Sequence, residues 1–160
     1  MSKLSTCALC CCVLLAAASC RARALTVTQD GQPTATVVTA VEPDDKTKAA
    51  AAELRHYVRR VSGAELPVAT DADKVQGALV LVGRSKLTDA MGVSVPSGLT
   101  NNRREEGFVV VCRGDRLVLA GNNDGPYHGT EYAVYEFLHR LGVRWYMPGE
   151  FGEVVPQQKT

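Results

Sequence analysis

The sequence predicts an α/β fold, in which a mixed β-sheet of five to seven strands carries two amphipathic helices on one face. Short apolar runs typical of strands are separated by two longer segments whose apolar residues recur every three or four positions. The β-α-β order of these segments favours at least one parallel strand pair with a right-handed crossover. With 46% hydrophobic and 22% charged residues in a chain of 160, the composition is that of one globular domain.

The first two predicted strands form a β-hairpin. Residues 25–29 and 34–40 each alternate apolar and polar side chains, as the two faces of a half-buried strand require. Between them, Asp30 and Gly31 readily adopt the backbone conformations of a tight hairpin turn. We therefore expect an antiparallel strand pair at the start of the domain.

The first helix is expected over residues 46–62. Asp44 or Asp45 supplies an N-terminal cap, and Gly63 suits the left-handed conformation that ends many helices. The apolar stripe of this helix consists of Ala50, Leu54, Tyr57, Val58 and Val61. A continuous apolar run at residues 78–83 then predicts a strand that is covered on both faces.

Shorter elements and a second hairpin follow. An extended piece is expected at residues 66–69, and a short helical turn at residues 86–91 leads into a surface loop. Residues 107–121 contain two apolar strands that flank Gly114 and Asp115, a favourable pair for reversing the chain. This segment is the clearest hairpin signal in the sequence.

The second long helix is predicted after the GNNDG segment. Asn123 or Asp124 is the expected cap, Pro126 falls where a first-turn proline is tolerated, and Gly142 follows the last turn. Because GNNDG precedes a helix N-terminus, it is also a place where anions bind, but capping and turn formation are the stronger explanation in the absence of a P-loop lysine. A short strand is expected at residues 143–146.

The N-terminal residues 1–24 have the layout of a secretory signal peptide. An apolar run at residues 8–18 is too short to span a bilayer comfortably, and small residues at Ala22 and Ala24 suit cleavage after position 24. The alternative is cleavage before Cys20 with lipid attachment to that cysteine. The domain is then expected over residues 25–156, with a tail at 157–160, in a protein that is secreted or periplasmic, or lipid-anchored at the cell envelope.

The positions of the cysteines agree with a signal peptide that is separate from the domain. Five of the six cysteines lie within residues 1–24, so only Cys112 remains in the predicted mature chain and no internal disulfide is expected. Cys112 ends the apolar run FVVVC, which predicts a buried and inert thiol. The formal net charge of +1 and the lack of a basic block argue against nucleic-acid binding.

The sequence offers few candidates for catalysis. His128 and Glu131 are three residues apart, a spacing that fits an acid–base or metal pair, although a solvated surface pair is the more common outcome. The remaining histidines, His56 and His139, adjoin arginines on what are expected to be polar helix faces. No nucleophile elbow, metal-ligand cluster or cofactor fingerprint occurs, so neither a catalytic residue nor a cofactor is expected.

Aromatic residues near the C-terminus are the other feature of interest. Trp145, the only tryptophan, and Tyr146 point to opposite sides of a predicted strand, so one of them is expected to face outward. For Trp145 itself, core packing is the leading interpretation. An outward ring at this position would instead pack against a neighbouring domain or stack on a sugar. With Pro148 and Gly149, these two aromatics form our candidate contact residues.

The segments AAAELRHYVRRVSGAELPV, ALVLVGRS and EGFVVVCRGDRLVLAGNNDGPYHGTEYAVYEFLHRLGVRWYMPGEFGEVVP carry a family resemblance. In their order, they resemble the N-terminal domain of secreted bacterial proteins related to family 67 alpha-glucuronidases. They are also similar to the second domain of family 20 beta-hexosaminidases. In secreted bacterial proteins, an N-terminal domain of this kind often precedes a domain of unknown function that is related to glycoside hydrolases.

The resemblance implies an accessory domain that packs against a catalytic TIM barrel, where the catalytic carboxylates lie. None of those catalytic residues has a matching position in this sequence. The implied function is therefore that of a non-catalytic accessory domain in polysaccharide degradation, with a catalytic barrel in cis or in trans as partner and polysaccharide as a further partner. The alternative function is a free-standing carbohydrate-binding module.

Overall fold

The computed structural model describes residues 25–99 and 106–158. The predicted signal peptide over residues 1–24, with Cys20, lies outside the described residues. The strands are β1 (Thr28–Gln29), β2 (Gln32–Pro33), β3 (Ala35–Thr39), β4 (Val68–Thr70), β5 (Ala78–Val82), β6 (Phe108–Arg113), β7 (Arg116–Gly121), β8 (Arg144–Trp145) and β9 (Glu153–Val154). The helices are α1 (Asp45–Ser62), α2 (Lys86–Ala90) and α3 (Gly129–Arg140), followed by a short 3-10 helix at Glu150–Gly152.

The main sheet has five strands in the order β4-β3-β5-β7-β6. β3 pairs in parallel with both β4 and β5, β5 pairs in parallel with β7, and only β6 is antiparallel to its neighbour. The two long helices α1 and α3 pack on one face of this sheet, together with the side chains of Val37, Val80 and Leu119. The predicted α/β class, the mixed sheet and the two amphipathic helices on one face are confirmed.

The other face of the sheet has its own, smaller core. Val38, Leu81 and Val118 point to this side, where they meet Leu87 of α2 and Val95 of the following loop. β5 and β7 are therefore covered on both faces, which explains why their sequences are continuous apolar runs instead of alternating patterns.

Helix α1 begins and ends as its capping residues predict. The Asp44 carboxylate accepts a hydrogen bond from the Thr47 backbone N–H at 2.7 Å, and Gly63 adopts a left-handed φ of 81°. Burial acts to raise the pKa of Asp44, but hydrogen bonds from Thr47 and Asn123 outweigh it and hold the pKa below the ordinary value. The stripe predicted to face the core is buried throughout: Ala50, Leu54, Tyr57, Val58 and Val61.

The first hairpin is only half as predicted. Asp30 and Gly31, with φ angles of 51° and 75°, form the turn between β1 and β2. The apolar strand β3, however, lies in the main sheet between β4 and β5 and does not pair with β1. Burial of Val37 and Val38 on opposite faces requires a position inside the sheet, and a two-stranded hairpin does not provide it.

Helix α3 begins later than expected, at Gly129, so Pro126 lies in the preceding loop. At this start the chain passes close to the end of β7. A Cβ on Gly121 would lie 2.2 Å from the carbonyl carbon of Gly129, so both positions require glycine. The prediction of Asn123 or Asp124 as the N-cap is wrong, because the N-cap residue is His128, which makes no side-chain cap hydrogen bond. Asn123 Oδ1 nevertheless accepts a hydrogen bond from the Thr130 N–H in the first turn at 3.1 Å.

The GNNDG loop is tied to the start of α1 by a lysine. The Nζ of Lys46 donates to the carbonyl oxygens of Asn123, Gly125 and Tyr127 at 3.0, 2.6 and 2.7 Å. These three contacts satisfy the donors of one ammonium group. The lysine therefore connects the loop before α3 to the first turn of α1.

The expectation of a buried Cys112 is wrong. The thiol is free and exposed, because β6 is an edge strand of the sheet and Cys112 lies near its end, where no helix covers it. The apolar pattern FVVVC correctly indicated a strand but did not indicate that the strand is at the edge.

The strand near the C-terminus does not join the main sheet. β8 instead pairs antiparallel with β9, with Arg144 opposite Val154 and Trp145 opposite Glu153. Beyond this ribbon, the Gln158 backbone N–H donates to the Val61 carbonyl at 2.7 Å, which holds the end of the described chain against α1. Among the helices that the structure describes, none has the length and apolar character needed to cross a membrane.

Candidate functional site

The β8–β9 ribbon is fixed to α1 through one tyrosine. Trp145 Nε1 donates to the Tyr57 hydroxyl at 2.8 Å, and that hydroxyl in turn donates to Glu153 Oε1 at 2.8 Å. Since Trp145 and Glu153 lie directly opposite each other in the ribbon, both point toward Tyr57. A single buried hydroxyl therefore satisfies one group from each strand.

An ion pair completes this network. Arg60 donates to the second oxygen of the Glu153 carboxylate, and its guanidinium carbon lies 5.3 Å from the centre of the Tyr57 ring. The hydrogen bonds from Arg60 and then from Tyr57 hold the pKa of Glu153 below its ordinary value. The pKa of Tyr57 is raised, first by burial and further by the charges of Glu153 and Glu53, although the hydrogen bond from Trp145 acts against this. The hydroxyl thus stays protonated and able to donate.

Beside this network lies a cleft with a volume of about 420 Å³. Its lining consists of Glu53, Tyr57, Tyr135, Trp145 and Glu153. The Trp145 ring packs edge-to-face against Tyr57 and Tyr135, at centroid distances of 5.2 and 5.4 Å. We call this the aromatic cleft. The expectation that Trp145 packs in the core is wrong, because the residue is 37% exposed. The two neighbouring rings hold its orientation.

The opposite side of the ribbon and its connecting turn present an exposed apolar surface. Tyr146, Met147 and Val154 are 74%, 60% and 50% exposed, and Phe151 is fully exposed. We call these four residues the C-terminal patch. Because side chains alternate along a strand, Tyr146 points away from the side on which Trp145 meets Tyr57. A cluster of exposed large apolar side chains is typical of an interaction surface.

The turn that carries the C-terminal patch is held in one shape by its backbone. The Tyr146 N–H donates to the Gly152 carbonyl at 2.8 Å, and the Gly152 N–H donates to the Gly149 carbonyl at 2.9 Å. Gly149 has a φ of 89°, and a Cβ on Gly152 would lie 2.0 Å from the Met147 carbonyl oxygen. The exposed side chains are therefore presented by an ordered turn.

The structure places all four predicted contact residues, Trp145, Tyr146, Pro148 and Gly149, in this one region. Their role in domain contact or glycan stacking stays a prediction. Sequence reasoning missed the site residues that come from α1, from α3 and from β9: Glu53, Tyr135 and Glu153. Tyr57 was assigned to the core stripe, and its polar hydroxyl within an apolar stripe was the one signal that it has a partner.

The structure brings the other candidate pair, His128 and Glu131, together at the start of α3. His128 Nδ1 and Glu131 Oε2 are 2.7 Å apart on the first turn of α3, and both side chains are partly exposed. Within residues 25–99 and 106–158, no group of three His, Cys, Asp or Glu side chains is arranged to hold a metal ion. A larger apolar groove of about 610 Å³ lies between Leu25, Val58 and Phe137, and it gathers no set of acids or bases.

These features define an α/β domain with an exposed aromatic ribbon at one end. No family model and no curated protein matches the sequence. Among solved structures, the chain is similar to a family GH115 4-O-methyl-alpha-glucuronidase with specificity for decorated arabinogalactans, with a TM-score of 0.56 and 25% identity over 82% of this chain. The chain spans 16% of the length of that enzyme. The chain therefore holds a domain that is related to part of a glycoside hydrolase.

Proposed function

We propose that this chain is a secreted, non-catalytic accessory domain of a glycoside-hydrolase-type protein that acts in polysaccharide degradation. In this proposal, the domain packs against a catalytic barrel through the C-terminal patch. Its family would be that of the N-terminal domains of alpha-glucuronidase-like proteins. The similarity to a small part of a much longer glucuronidase supports an accessory role.

The observation that carries the proposal is the exposure of Tyr146, Met147, Phe151 and Val154 on an ordered turn. Large apolar side chains on a surface cost free energy in water, about 25 cal/mol for each Å² of apolar area, which docking would recover. The network of Trp145, Tyr57 and Glu153 holds the ribbon in place before any partner arrives. Such preorganisation lowers the entropic cost of association.

The test uses the full chain and a catalytic region as its partner. The partner is the protein region encoded after the Thr160 codon in the same reading frame. If the reading frame stops there, the partners are the glycoside-hydrolase barrels encoded by neighbouring genes. We expect binding by sedimentation or calorimetry, and at least tenfold weaker binding for Phe151→Ser, with unchanged circular dichroism. Val68→Ser, at an exposed apolar position of the edge strand β4, is the matched control.

Two results would contradict the accessory role. One is the absence of binding to any such region. The other is hydrolysis of aryl glycosides by the chain alone. That result counts only if replacing one aspartate or glutamate of the chain abolishes the hydrolysis.

A carbohydrate-binding module is the second candidate function, favoured by the partial exposure of Trp145 beside a cleft. Its test is a titration with arabinogalactan oligosaccharides, followed through the fluorescence of the single tryptophan. A saturable fluorescence change in the wild type would favour this function if calorimetry also shows that Trp145→Phe no longer binds the oligosaccharide. No heat and no fluorescence change would exclude it.

A further inference from the structure

The aromatic cleft contains a carboxylate with no partner. Glu53 forms no hydrogen bond or ion pair with any residue that the structure describes, while Glu153 in the same lining is already engaged by Arg60 and Tyr57. With the charge of Glu153 balanced by Arg60, Glu53 is the negative charge of this lining that no described residue pairs. The walls that adjoin this charge are the rings of Tyr57, Tyr135 and Trp145.

The electrostatic environment of the cleft is acidic. The pKa of Tyr135 is raised, first by burial and then by the negative charges of Glu53 and Glu131. Among the described residues, no basic group contributes to the shift of the Tyr135 pKa. Arg60 and His56 act instead on Glu153, and Arg60 is already paired with it on the Tyr57 side of the cleft. A cation entering the cleft would meet a favourable field, whereas a uronate sugar would be repelled.

Aromatic rings beside a carboxylate are a combination that recognises organic cations. The faces of tyrosine and tryptophan rings attract a guanidinium or ammonium group, and a carboxylate binds a guanidinium through two parallel hydrogen bonds. Arginine suits such a site better than lysine, because its planar group stacks on a ring while its N–H groups reach the acid. A volume of about 420 Å³ accommodates one such side chain.

We propose that the aromatic cleft receives an arginine side chain of the catalytic domain that docks on the C-terminal patch. This inference rests on the proposed function for the identity of the partner. The cleft and the patch lie on the two sides of one narrow ribbon, since Trp145 and Glu153 face the cleft while Tyr146 and Val154 face away. A partner that covers the patch therefore borders the cleft, and Glu53 supplies the charge complementary to its arginine.

The first experiment tests the cleft without any partner. N-acetyl-arginine amide is titrated into the full chain while the fluorescence of Trp145, the only tryptophan, is recorded. We expect a saturable change in the millimolar range, and at least fivefold weaker binding for Glu53→Gln. Glu42→Gln makes the same change of charge at an exposed position that does not line the cleft, and we expect it to bind like the wild type.

Three outcomes of this titration would overturn the inference. The first is an equal response to N-acetyl-citrulline amide, which has the shape of the arginine probe without its charge. The second is unchanged binding of the arginine probe to Glu53→Gln. The third is a saturable response to a neutral methyl glycoside and none to the arginine probe. Because Glu53 forms no hydrogen bond or ion pair with a described residue, we expect Glu53→Gln to unfold like the wild type, and a normal urea unfolding curve would exclude misfolding as the cause of a loss.

The second experiment separates this inference from the proposed function. Docking of the catalytic region is measured for wild type, Glu53→Gln and Phe151→Ser at low and high salt. We expect Glu53→Gln to weaken docking about tenfold at low salt and less at high salt. Docking that is equally tight in Glu53→Gln overturns the arginine site and leaves the accessory function intact. If the arginine probe binds the chain but no catalytic region docks on it, the proposed function is overturned and the arginine site is retained.

Discussion

The indole N–H of Trp145 donates a hydrogen bond to the hydroxyl of Tyr57 at 2.8 Å, across 88 residues of sequence. This contact fixes the β8–β9 ribbon on helix α1. It also explains how a tryptophan that is 37% exposed keeps a defined orientation. Both the aromatic cleft and the C-terminal patch depend on this placement.

Replacing Tyr57 with phenylalanine is expected to destabilise the protein by about 1–3 kcal/mol. The change keeps the ring but leaves the Trp145 N–H and one oxygen of Glu153 without their partner. Urea unfolding followed by circular dichroism measures the effect. Tyr132→Phe, which removes a hydroxyl from an exposed tyrosine of α3, is the matched control and is expected to change little. Equal stability of the two variants would show that the hydroxyl network contributes nothing.

The stability of the protein is expected to fall in acid partly through Glu153. Its pKa in the folded protein lies below the ordinary value of 4.5, because its carboxylate accepts hydrogen bonds from Arg60 and Tyr57. The unfolded chain therefore binds this proton more readily than the folded chain. The contribution of Glu153 is present above pH 4.5 and is lost as the pH falls through the folded-state pKa.

Glu153→Gln tests this pH dependence. We expect the variant to be less stable than wild type at pH 7, with the difference shrinking below pH 4.5. The free energy of unfolding is measured in urea from pH 3 to pH 7. Parallel curves for variant and wild type across this range would contradict the assignment.

Gly129→Ala is expected to destabilise the fold by about 3 kcal/mol or more, because the new methyl group has no space. Its Cβ would lie 2.4 Å from the backbone nitrogen of Asn122, so either β7 or the start of α3 must move. Thermal unfolding or the yield of soluble protein measures the loss. Gly92→Asn is the control, since that position is open and its φ of 62° is one that asparagine tolerates. A normal melting temperature for Gly129→Ala would contradict the close approach.

Lys46→Met is expected to cost about 1.5–3 kcal/mol, because three backbone carbonyls lose a charged donor. Lys48→Met provides a matched control one half-turn along α1, where the lysine only forms an exposed pair with Asp45. We expect the control to unfold like the wild type in urea. Hydrogen exchange should also show faster exchange in the GNNDG loop of Lys46→Met alone. If both variants unfold alike, the Lys46 contacts do not stabilise the loop.

Much of the fold follows from local patterns. The stripe of α1, its cap at Asp44 and its end at Gly63 were predictable because they depend on neighbouring residues. The turn at Gly114 and Asp115 was predictable for the same reason. The place of β3 inside the sheet and the exposure of Cys112 on an edge strand were not, because both depend on which strands become neighbours.

The candidate site shows the same division. The sequence by itself determined that aromatic residues gather near position 145 and that a glycine-rich turn follows them, since composition and turn chemistry are local properties. Only the tertiary structure decided that Tyr57 and Tyr135 join Trp145 and that Glu53 lies beside them without pairing to any described residue. These residues lie on α1, α3 and the β8–β9 ribbon, and packing of α1 against α3 is what brings them to one cleft. Contacts between residues so far apart in the sequence leave no periodic signal, because each residue fits the pattern of its own helix or strand whether or not the other residue is present.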